Sequence, residues 1–322
     1  MNCQVCSDAS NDRTTLQCKA CRMEKCLRIG MKMNKVQITR DRHDNTKAHR
    51  KNKVDPELPL ATFSLVNYNS MRLKSIQDHF NKMLMARKLA FPRRKILKHP
   101  HLGEALKIFH TDVFLAYDWI RKAFPELEQL PSVEQWTLYR NFYVKFNIFE
   151  PAYLAVLLGI PKTFHLPNGD VADEVGRYYT RHLDSPPDVS LDHVSKVFTP
   201  YWTAFHSCIV TPVLAAGLSI YEFLLLAAIF LWDSGLDGLS QSTSELVLQI
   251  RRHLLFELTT VARQAAVNEE HEMRLARNML LLNGVQKGSD LFEEELQLGS
   301  LYRILSPEAT DWYNFIKGPT FF

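Results

Sequence analysis

From about residue 70 onward, apolar residues recur every three or four positions, a spacing that predicts amphipathic helices rather than strands. In the second of these helices, the apolar face includes Phe109, Phe114 and Tyr117. One segment differs: Lys162–Ala172 places Pro-Asn-Gly between short alternating runs, which predicts a tight β-hairpin. The first predicted helix begins near Ser70. The others span Leu102–Phe124, Ser132–Leu158, Leu191–Gly217, Glu245–Asn268 and Glu270–Leu298.

The most apolar stretch, Ser219–Trp232, predicts a buried central helix. Ser219 and Glu222 have the spacing of a capping box, in which each side chain satisfies a backbone N–H group at the helix start. A helix of this length spans about 21 Å, too short for a hydrocarbon core of about 30 Å, so we expect no membrane span. Glu222 needs a cation, for which Arg252 and Arg274 are candidates, unless it is a solvent-facing cap. Ser132 and Gln135 form a second candidate capping box.

The distribution of charged residues and cysteines differs before and after about residue 54. Residues 1–54 carry 13 lysines and arginines against 5 acidic residues, whereas the remainder is mildly acidic. Hydrophobic residues make up 46% of the chain, an ordinary globular value. No signal peptide is evident, so we expect an intracellular protein with reduced cysteines. A basic head on an apolar body predicts a module that contacts a polyanion, joined to a second domain.

The head contains two C-x-x-C pairs, formed by Cys3 with Cys6 and by Cys18 with Cys21, with eleven residues between the pairs. Four thiolates at this spacing can close a tetrahedral zinc site, because each pair presents two sulfurs to one metal. The alternative is four thiols without a ligand. Cys26 is predicted to be a buried helix residue rather than a fifth ligand.

Several stretches resemble the nuclear hormone receptor family. Residues 18–31 are similar to the end of its second zinc finger, and residues 36–42 to the extension that follows, especially in the nematode-type branch. Residues 222–240 resemble the family's central helix and the loop after it. The pattern Leu127…Arg140 resembles its signature, with Glu134 in place of an aspartate. Taken alone, that pattern is also the core stripe of a helix–loop–helix.

The resemblance implies a mainly α fold: a three-layer helical sandwich with one short β-hairpin, preceded by a partial zinc-finger module. It divides the chain into the zinc module at 1–45, a hinge at 46–69 and a ligand-binding domain at 70–322. It implies a transcription regulator in the nucleus, with zinc as cofactor, an apolar pocket for a lipophilic ligand, and coregulator proteins as partners. No arginine or lysine lies between Phe146 and Pro161, so we expect a neutral ligand, or a lipid held by apolar contacts.

DNA binding is predicted to be weak or lost, because no residue here can be assigned to the helix that reads bases. The remaining contacts would be with phosphates, which basic residues bind without sequence preference. The residues assigned to phosphate contact are Arg22, Lys25, Arg28, Arg40 and Arg42. The alternative function is a protein that does not bind DNA and that dimerises with, or sequesters, other receptors or corepressors.

The resemblance also assigns two protein-binding surfaces. The coregulator surface would pair Lys122 and Arg140 with Glu308 and Asp311 of a C-terminal helix at 306–316, whose apolar face includes Trp312 and Phe315. The dimer seam would contain Arg274, Arg277 and Leu281, although a helix packed on its own domain fits the same pattern.

A third class, a helical enzyme or lipid carrier, finds little support in the motifs. The chain has no glycine-rich phosphate loop and no nucleophile elbow. His271 and Glu272 begin like a zinc-protease motif, but Leu275 stands where the second histidine is required. We therefore expect no enzymatic activity.

Overall fold

The computed structural model describes residues 70–91, 100–180, 191–266, 270–301, 312 and 314–315. Most of these residues are helical. The proposed zinc module and hinge, at residues 1–69, lie outside the described residues. The helices are α1 (Met71–Ala90), α2 (Leu102–Ala123), α3 (Ser132–Leu157), α4 (Val175–Thr180), α5 (Leu191–Phe205), α6 (Thr211–Ala216), α7 (Ile220–Leu231), α8 (Gln241–Ala265) and α9 (His271–Leu301).

The predicted helices are confirmed, with boundaries that differ by a few residues. Ser70 is the N-cap of α1, and α8 begins at Gln241 because the hydroxyl of Ser240 accepts a hydrogen bond from the Thr243 N–H at 3.4 Å. A 3₁₀ turn, Pro125–Gln129, precedes α3, and a π-helical turn, His206–Val210, connects α5 to α6. Among the described helices, none is both long and apolar enough to cross a membrane.

The predicted hairpin is also confirmed. Strand β1 (Phe164–His165) pairs antiparallel with β2 (Val171–Ala172), with Phe164 opposite Ala172. The turn needs Gly169, whose φ of 88° lies in the left-handed region that other residues rarely adopt. In the part of the chain that the structure covers, this pair of strands is the whole sheet.

The central helix α7 is buried from Glu222 to Leu231, with every one of these residues at most 4% exposed. Its predicted capping box is present: the Ser219 hydroxyl accepts from the Glu222 N–H, and the Glu222 carboxylate accepts from the Ser219 N–H at 2.9 Å. The preceding helix α6 ends at Gly217 in the left-handed conformation, with φ of 57°.

The helices are arranged in three layers, as predicted, and α7 lies in the middle layer. The middle layer contains α3, α7 and α8, with α7 packed against both neighbours. On one side lie α1 and α2, and on the other lie α5, α6 and α9. Because helices cover it on both sides, α7 needs no polar face, which explains its almost continuous apolar sequence.

The second predicted capping box, at Ser132, is wrong. Helix α3 begins at Ser132 itself, Pro131 occupies the N-cap position, and no side chain caps the start. A nearby acidic residue, Glu134, instead bonds across the fold: its carboxylate accepts from the Ser240 N–H at 3.2 Å and from the Ser240 hydroxyl at 3.1 Å. Glu134 therefore joins the start of α3 to the start of α8.

Candidate functional site

Aromatic side chains enclose a small cavity between α4, α5 and α9. Its volume is about 40 Å³, whereas ligand pockets for drug-sized molecules usually measure 300–1,000 Å³. The hairpin and α3 close it on the remaining side through Phe164 and Ile148. The other lining residues are Tyr178, Tyr179, Tyr201, Trp202, Phe205, Ile209, Gly288, Leu291, Phe292 and Glu295.

Two glycines bring α9 close to the π-helical turn beside this cavity. A Cβ added at Gly284 would lie 2.4 Å from the carbonyl oxygen of Cys208, and one added at Gly288 would lie 2.4 Å from Cδ1 of Ile209. At Gly284 the neighbour is a backbone atom, so the helix and the turn approach this closely only because that residue lacks a side chain, whereas the end of the Ile209 side chain beside Gly288 could move aside.

Glu295 is the charged residue among those that line the cavity, and it is 9% exposed. The hydroxyl of Tyr179 donates a hydrogen bond to its Oε1 at 2.5 Å. Burial raises the pKa of Glu295 to about 7, although the bond from Tyr179 acts in the opposite direction. Sequence reasoning missed this residue, because it looked for basic residues that would bind an acidic lipid.

Two described residues of the C-terminal segment, Trp312 and Phe315, pack on the body of the domain. Trp312 is fully buried, with its ring stacked on Phe109 at 6.0 Å and edge-on to Tyr143 at 5.2 Å. Phe315 lies edge-on to Trp136 at 6.4 Å. The predicted apolar face of the C-terminal helix therefore contacts α2 and α3 through Trp312 and Phe315.

Aromatic contacts connect this segment to the cavity. Phe109 touches Trp312 on one side and Phe164 on the other, where the ring centroids are 6.4 Å apart. Phe164 lines the cavity. A shift of Phe164 can thus reach Trp312 through one intervening ring.

A buried ionic cluster supports the same region. Arg87 of α1 bonds Asp112 of α2 through Nε at 2.6 Å, and Glu150 of α3 through Nη1 at 2.7 Å. The hydroxyl of Tyr143, which contacts Trp312, donates to Asp112 at 3.0 Å. Burial raises the pKa of Glu150, although Arg87 opposes the shift. The helical patterns gave no sign of this cluster, because its members belong to three helices.

An open groove of about 520 Å³ is lined by Phe114, Tyr117, Asp118, Arg121, Glu128 and Gln135, and the residue after Arg121 is Lys122, which was predicted for the coregulator surface. Phe114, assigned above to the apolar face of its helix, is 56% exposed. Arg121 bonds Glu128 at 2.8 Å, and Lys122 bonds Asp118 at 2.6 Å.

The two cations predicted for this surface have different environments. Lys122 is half exposed, whereas Arg140 is partly buried and its Nε donates to the Trp136 carbonyl at 3.4 Å. Glu308 and Asp311, the predicted acidic partners, lie outside the described residues. The same is true of the predicted zinc ligands Cys3, Cys6, Cys18 and Cys21, and of the predicted phosphate contacts Arg22, Lys25, Arg28, Arg40 and Arg42.

Two residues predicted for the dimer seam face the interior instead. Leu281 is 1% exposed and packs in the core. Arg274 bonds Glu222 through Nε and Nη2, both at 2.7 Å, and also donates to the Gly217 carbonyl. Arg274 is thus the cation that Glu222 requires, and Arg252, the other candidate, is exposed. Arg277 is partly buried.

The outward face of α9 carries different residues. Met273 is 56% exposed and Leu280 is 66% exposed, with Ala276 between them on the same exposed stripe. The exposed stripe is thus formed by residues other than those predicted for the dimer seam, and Arg274 fills its other predicted role, that of the cation beside the buried carboxylate of Glu222.

Comparison with known proteins agrees with this architecture. Residues 92–302 match the profile for the ligand-binding domain of nuclear hormone receptor. The chain is similar to nuclear hormone receptor family member nhr-28 of Caenorhabditis elegans, with 25% identity over 323 residues, which cover 94% of this chain and 72% of the relative. It is also similar to family member nhr-53 of the same species, with 26% identity over 307 residues, 93% of this chain and 78% of the relative.

The fold is similar to that of the Ultraspiracle ligand binding domain from Drosophila melanogaster, with a TM-score of 0.55 at 15% identity, over 77% of this chain and 98% of that one. The family resemblance read from the sequence motifs is thereby confirmed. The chain belongs to the nuclear hormone receptor family, as a divergent member of the nematode type.

Proposed function

We propose that this protein is a nuclear-receptor-type transcription regulator that binds a small lipophilic ligand in the cavity between α4, α5 and α9 and acts in the nucleus. One observation carries the proposal: the cavity is connected to the C-terminal segment through Phe164, Phe109 and Trp312. A ligand that moves Phe164 changes the surface on which Trp312 packs. A ligand that binds more tightly when the segment is packed then raises the population of the packed state. The size of the shift is set by the difference between the ligand's affinities for the two states.

The open groove beside this segment is the proposed coregulator site. Its wall contains the exposed ring of Phe114 and the cation of Arg121, and Lys122 follows directly in α2. Phe315 packs against Trp136, and Trp136 stacks on Tyr117 at 4.8 Å, so a ring of the C-terminal segment lies one side chain from the groove. We expect a coregulator helix to contact this groove when the segment is packed, with Glu308 and Asp311 completing the surface opposite Lys122 and Arg140.

A transcription reporter tests this proposal. The full chain is fused to a heterologous DNA-binding domain, and Trp312→Ala is compared with Phe256→Ala, which alters a side chain that is 73% exposed. We expect Trp312→Ala to return transcription to the level of the heterologous domain alone, because the packed segment is lost. Phe256→Ala should leave transcription unchanged. Reporter output that is unaffected by Trp312→Ala would contradict the proposal.

The zinc module is a separate part of the proposal. Cys3, Cys6, Cys18 and Cys21 would bind one zinc ion, and Arg22, Lys25, Arg28, Arg40 and Arg42 would contact phosphates. We expect about one zinc per chain by elemental analysis, lost in the Cys18→Ser, Cys21→Ser double variant. Binding to DNA should be weak, steeply salt-dependent and indifferent to sequence.

The alternative function, sequestration of other receptors or corepressors without DNA binding, is favoured by the apolar stripe on the outward face of α9. Met273 and Leu280 offer a surface for a homologous helix. A mobility-shift assay with the full chain separates the two functions. A shift that is indifferent to sequence and disappears as salt rises supports the regulator with weak DNA contacts. Tight, sequence-selective binding would eliminate the sequestering protein, and no shift at low salt would support it.

A further inference from the structure

The ligand cavity combines aromatic rings with one carboxyl group, and this combination has a chemical consequence. We propose that the cavity binds the protonated amino group of a compact lipophilic amine, with Glu295 as its counter-ion and the surrounding aromatic rings as its cage. This inference rests on the proposed function, since it concerns the same cavity. It replaces the neutral ligand expected from the sequence with a cation.

The lining residues show why an organic cation fits. Seven of them are aromatic, and Glu295 is the acidic one. A cation over an aromatic face gains about 0.5–2 kcal/mol, more when water is excluded. Among the described residues, no lysine or arginine lines the cavity, and none contributes to the shifted pKa of Glu295. The described part of the chain therefore offers the carboxylate no cation in the cavity, and burying it unpaired is costly.

The carboxyl group is held in a fixed orientation. Tyr179 donates to Oε1 of Glu295, and the Tyr179 ring is stacked on Phe198 at 4.1 Å. Tyr178 and Trp202, whose centroids are 6.0 Å apart, form an adjoining wall. Such preorganisation lowers the ordering cost when a ligand binds.

The cavity also limits the ligand's size and charge. About 40 Å³ accepts an amino group with a few attached atoms, since a cavity needs about 10–15 Å³ on a comparable measure to hold one water molecule. The remainder of the ligand must displace side chains such as Trp202 and Phe205. A carboxylic acid of the same size would be repelled by ionised Glu295, and an alcohol would gain neither the ion pair nor the cation–π contact.

Isothermal titration of the full chain with three matched probes tests the proposal. Benzylamine, benzyl alcohol and benzoate share a ring and differ in charge. At pH 8 we expect benzylamine to bind at least ten times more tightly than benzyl alcohol, and benzoate to show no binding. Glu295→Gln should remove the preference for the amine, because the variant side chain has a similar shape and no charge.

Glu294→Gln is the matched control, since Glu294 is the neighbouring residue on α9 and is exposed. This variant should retain the preference. If Glu295→Gln does not fold, titration of the unmodified chain at pH 6 replaces it. Because Glu295 has a pKa of about 7, its ionised fraction, and with it the affinity for benzylamine, should fall about tenfold between pH 8 and pH 6. The affinity for benzyl alcohol should not change.

The ionisable groups around Glu295 do not obscure this pH effect. Tyr178 and Tyr179 of α4 and Tyr201 of α5 face it, and burial raises the pKa of each tyrosine above 10, so all three stay neutral. Glu294, on the same helix, is exposed.

The possible outcomes separate this inference from the proposed function. Equal affinity for benzylamine and benzyl alcohol would overturn the amine preference and leave the cavity as a ligand site. A preference that survives in Glu295→Gln would overturn the role of Glu295. If none of the three probes binds, both the inference and the ligand-binding part of the proposed function are contradicted.

Discussion

Two arginines hold opposite ends of the central helix. At its start, Arg274 of α9 bonds Glu222, which is fully buried. At its end, Arg251 of α8 donates to the carbonyl oxygens of Ile229 and Trp232 at 2.8 and 2.9 Å. These carbonyls would otherwise lack partners, because the last turn of a helix has no N–H groups to satisfy them. Single polar side chains thus connect α7 to both of the long helices that follow it.

Replacing Arg274 by methionine should destabilise the fold severely. Burial by itself raises the pKa of Glu222, and the hydrogen bonds from Arg274, Ser219 and Asn278 reverse the shift, so its net pKa is lowered. Arg274→Met leaves a buried carboxylate without its cation, which costs about 3–5 kcal/mol. Urea denaturation of the full chain at pH 7 measures this loss.

The matched control for this prediction is Arg252→Met, which removes an arginine that is exposed on α8. We expect that control to change stability by less than about 0.5 kcal/mol. Because Glu222 in the Arg274→Met variant becomes easier to protonate, the difference between the two variants should shrink at pH 5. Equal stabilities at pH 7 would show that the ion pair contributes nothing.

Sequence reasoning about single residues succeeded where the signal was local. The capping box at Ser219 follows from two residues three positions apart, and the need of Glu222 for a cation follows from its apolar surroundings. The choice between Arg252 and Arg274 required the fold, because both lie on helices with suitable periodicity. The Arg87 cluster was out of reach, since nothing in α1 indicates that its arginine meets acids from α2 and α3.

At the scale of the elements, the connection between α5 and α6 depends on α9. The sequence predicted one continuous helix over Leu191–Gly217, and the structure inserts a π-helical turn at His206–Val210. This turn lies against α9, where Gly284 lets the Cys208 carbonyl approach. Periodicity could not predict this contact, because it joins the turn to a residue far away in the sequence.

Gly284→Ala should therefore destabilise the protein, although alanine is the better helix former. In an unobstructed helix, this change gains about 0.5–1 kcal/mol. Here the new Cβ would lie 2.4 Å from a backbone oxygen, so α9 or the π-helical turn must shift, at a cost of about 1–3 kcal/mol. The measurement is the thermal unfolding of the full chain.

The control, Asn283→Ala, changes the adjacent exposed residue of α9 and should be neutral or slightly stabilising. A Gly284→Ala variant that melts at or above the temperature of the unaltered chain would mean that the two elements do not touch as described.

At the scale of the whole molecule, helix order and the buried centre could be predicted, and the functional surfaces could not. The apolar run of α7 required a place at the centre of the domain, and the resemblance to the receptor family implied the three layers. The cavity depends instead on how seven aromatic rings fill space between α4, α5, α9 and the hairpin, and no periodic pattern gives that volume. The two faces of α9 present a related difficulty: adjacent positions carry leucines, and only packing reveals that Leu281 is buried and Leu280 exposed.

The exposed face of α9 leads to the last prediction. Leu280 and Met273 are seven residues, or about two helical turns, apart and both face outward, so self-association through this helix would bury both. We expect the full chain to form a dimer at micromolar concentration. Leu280→Glu should convert it to a monomer, because it places a charge in the apolar contact. Light scattering after size-exclusion chromatography measures the mass.

Leu89→Glu alters an equally apolar side chain on α1 that is 83% exposed, and it should leave the dimer intact. If both variants remain dimeric, the contact lies elsewhere. If the unaltered chain is a monomer at every concentration, the stripe on α9 does not mediate self-association.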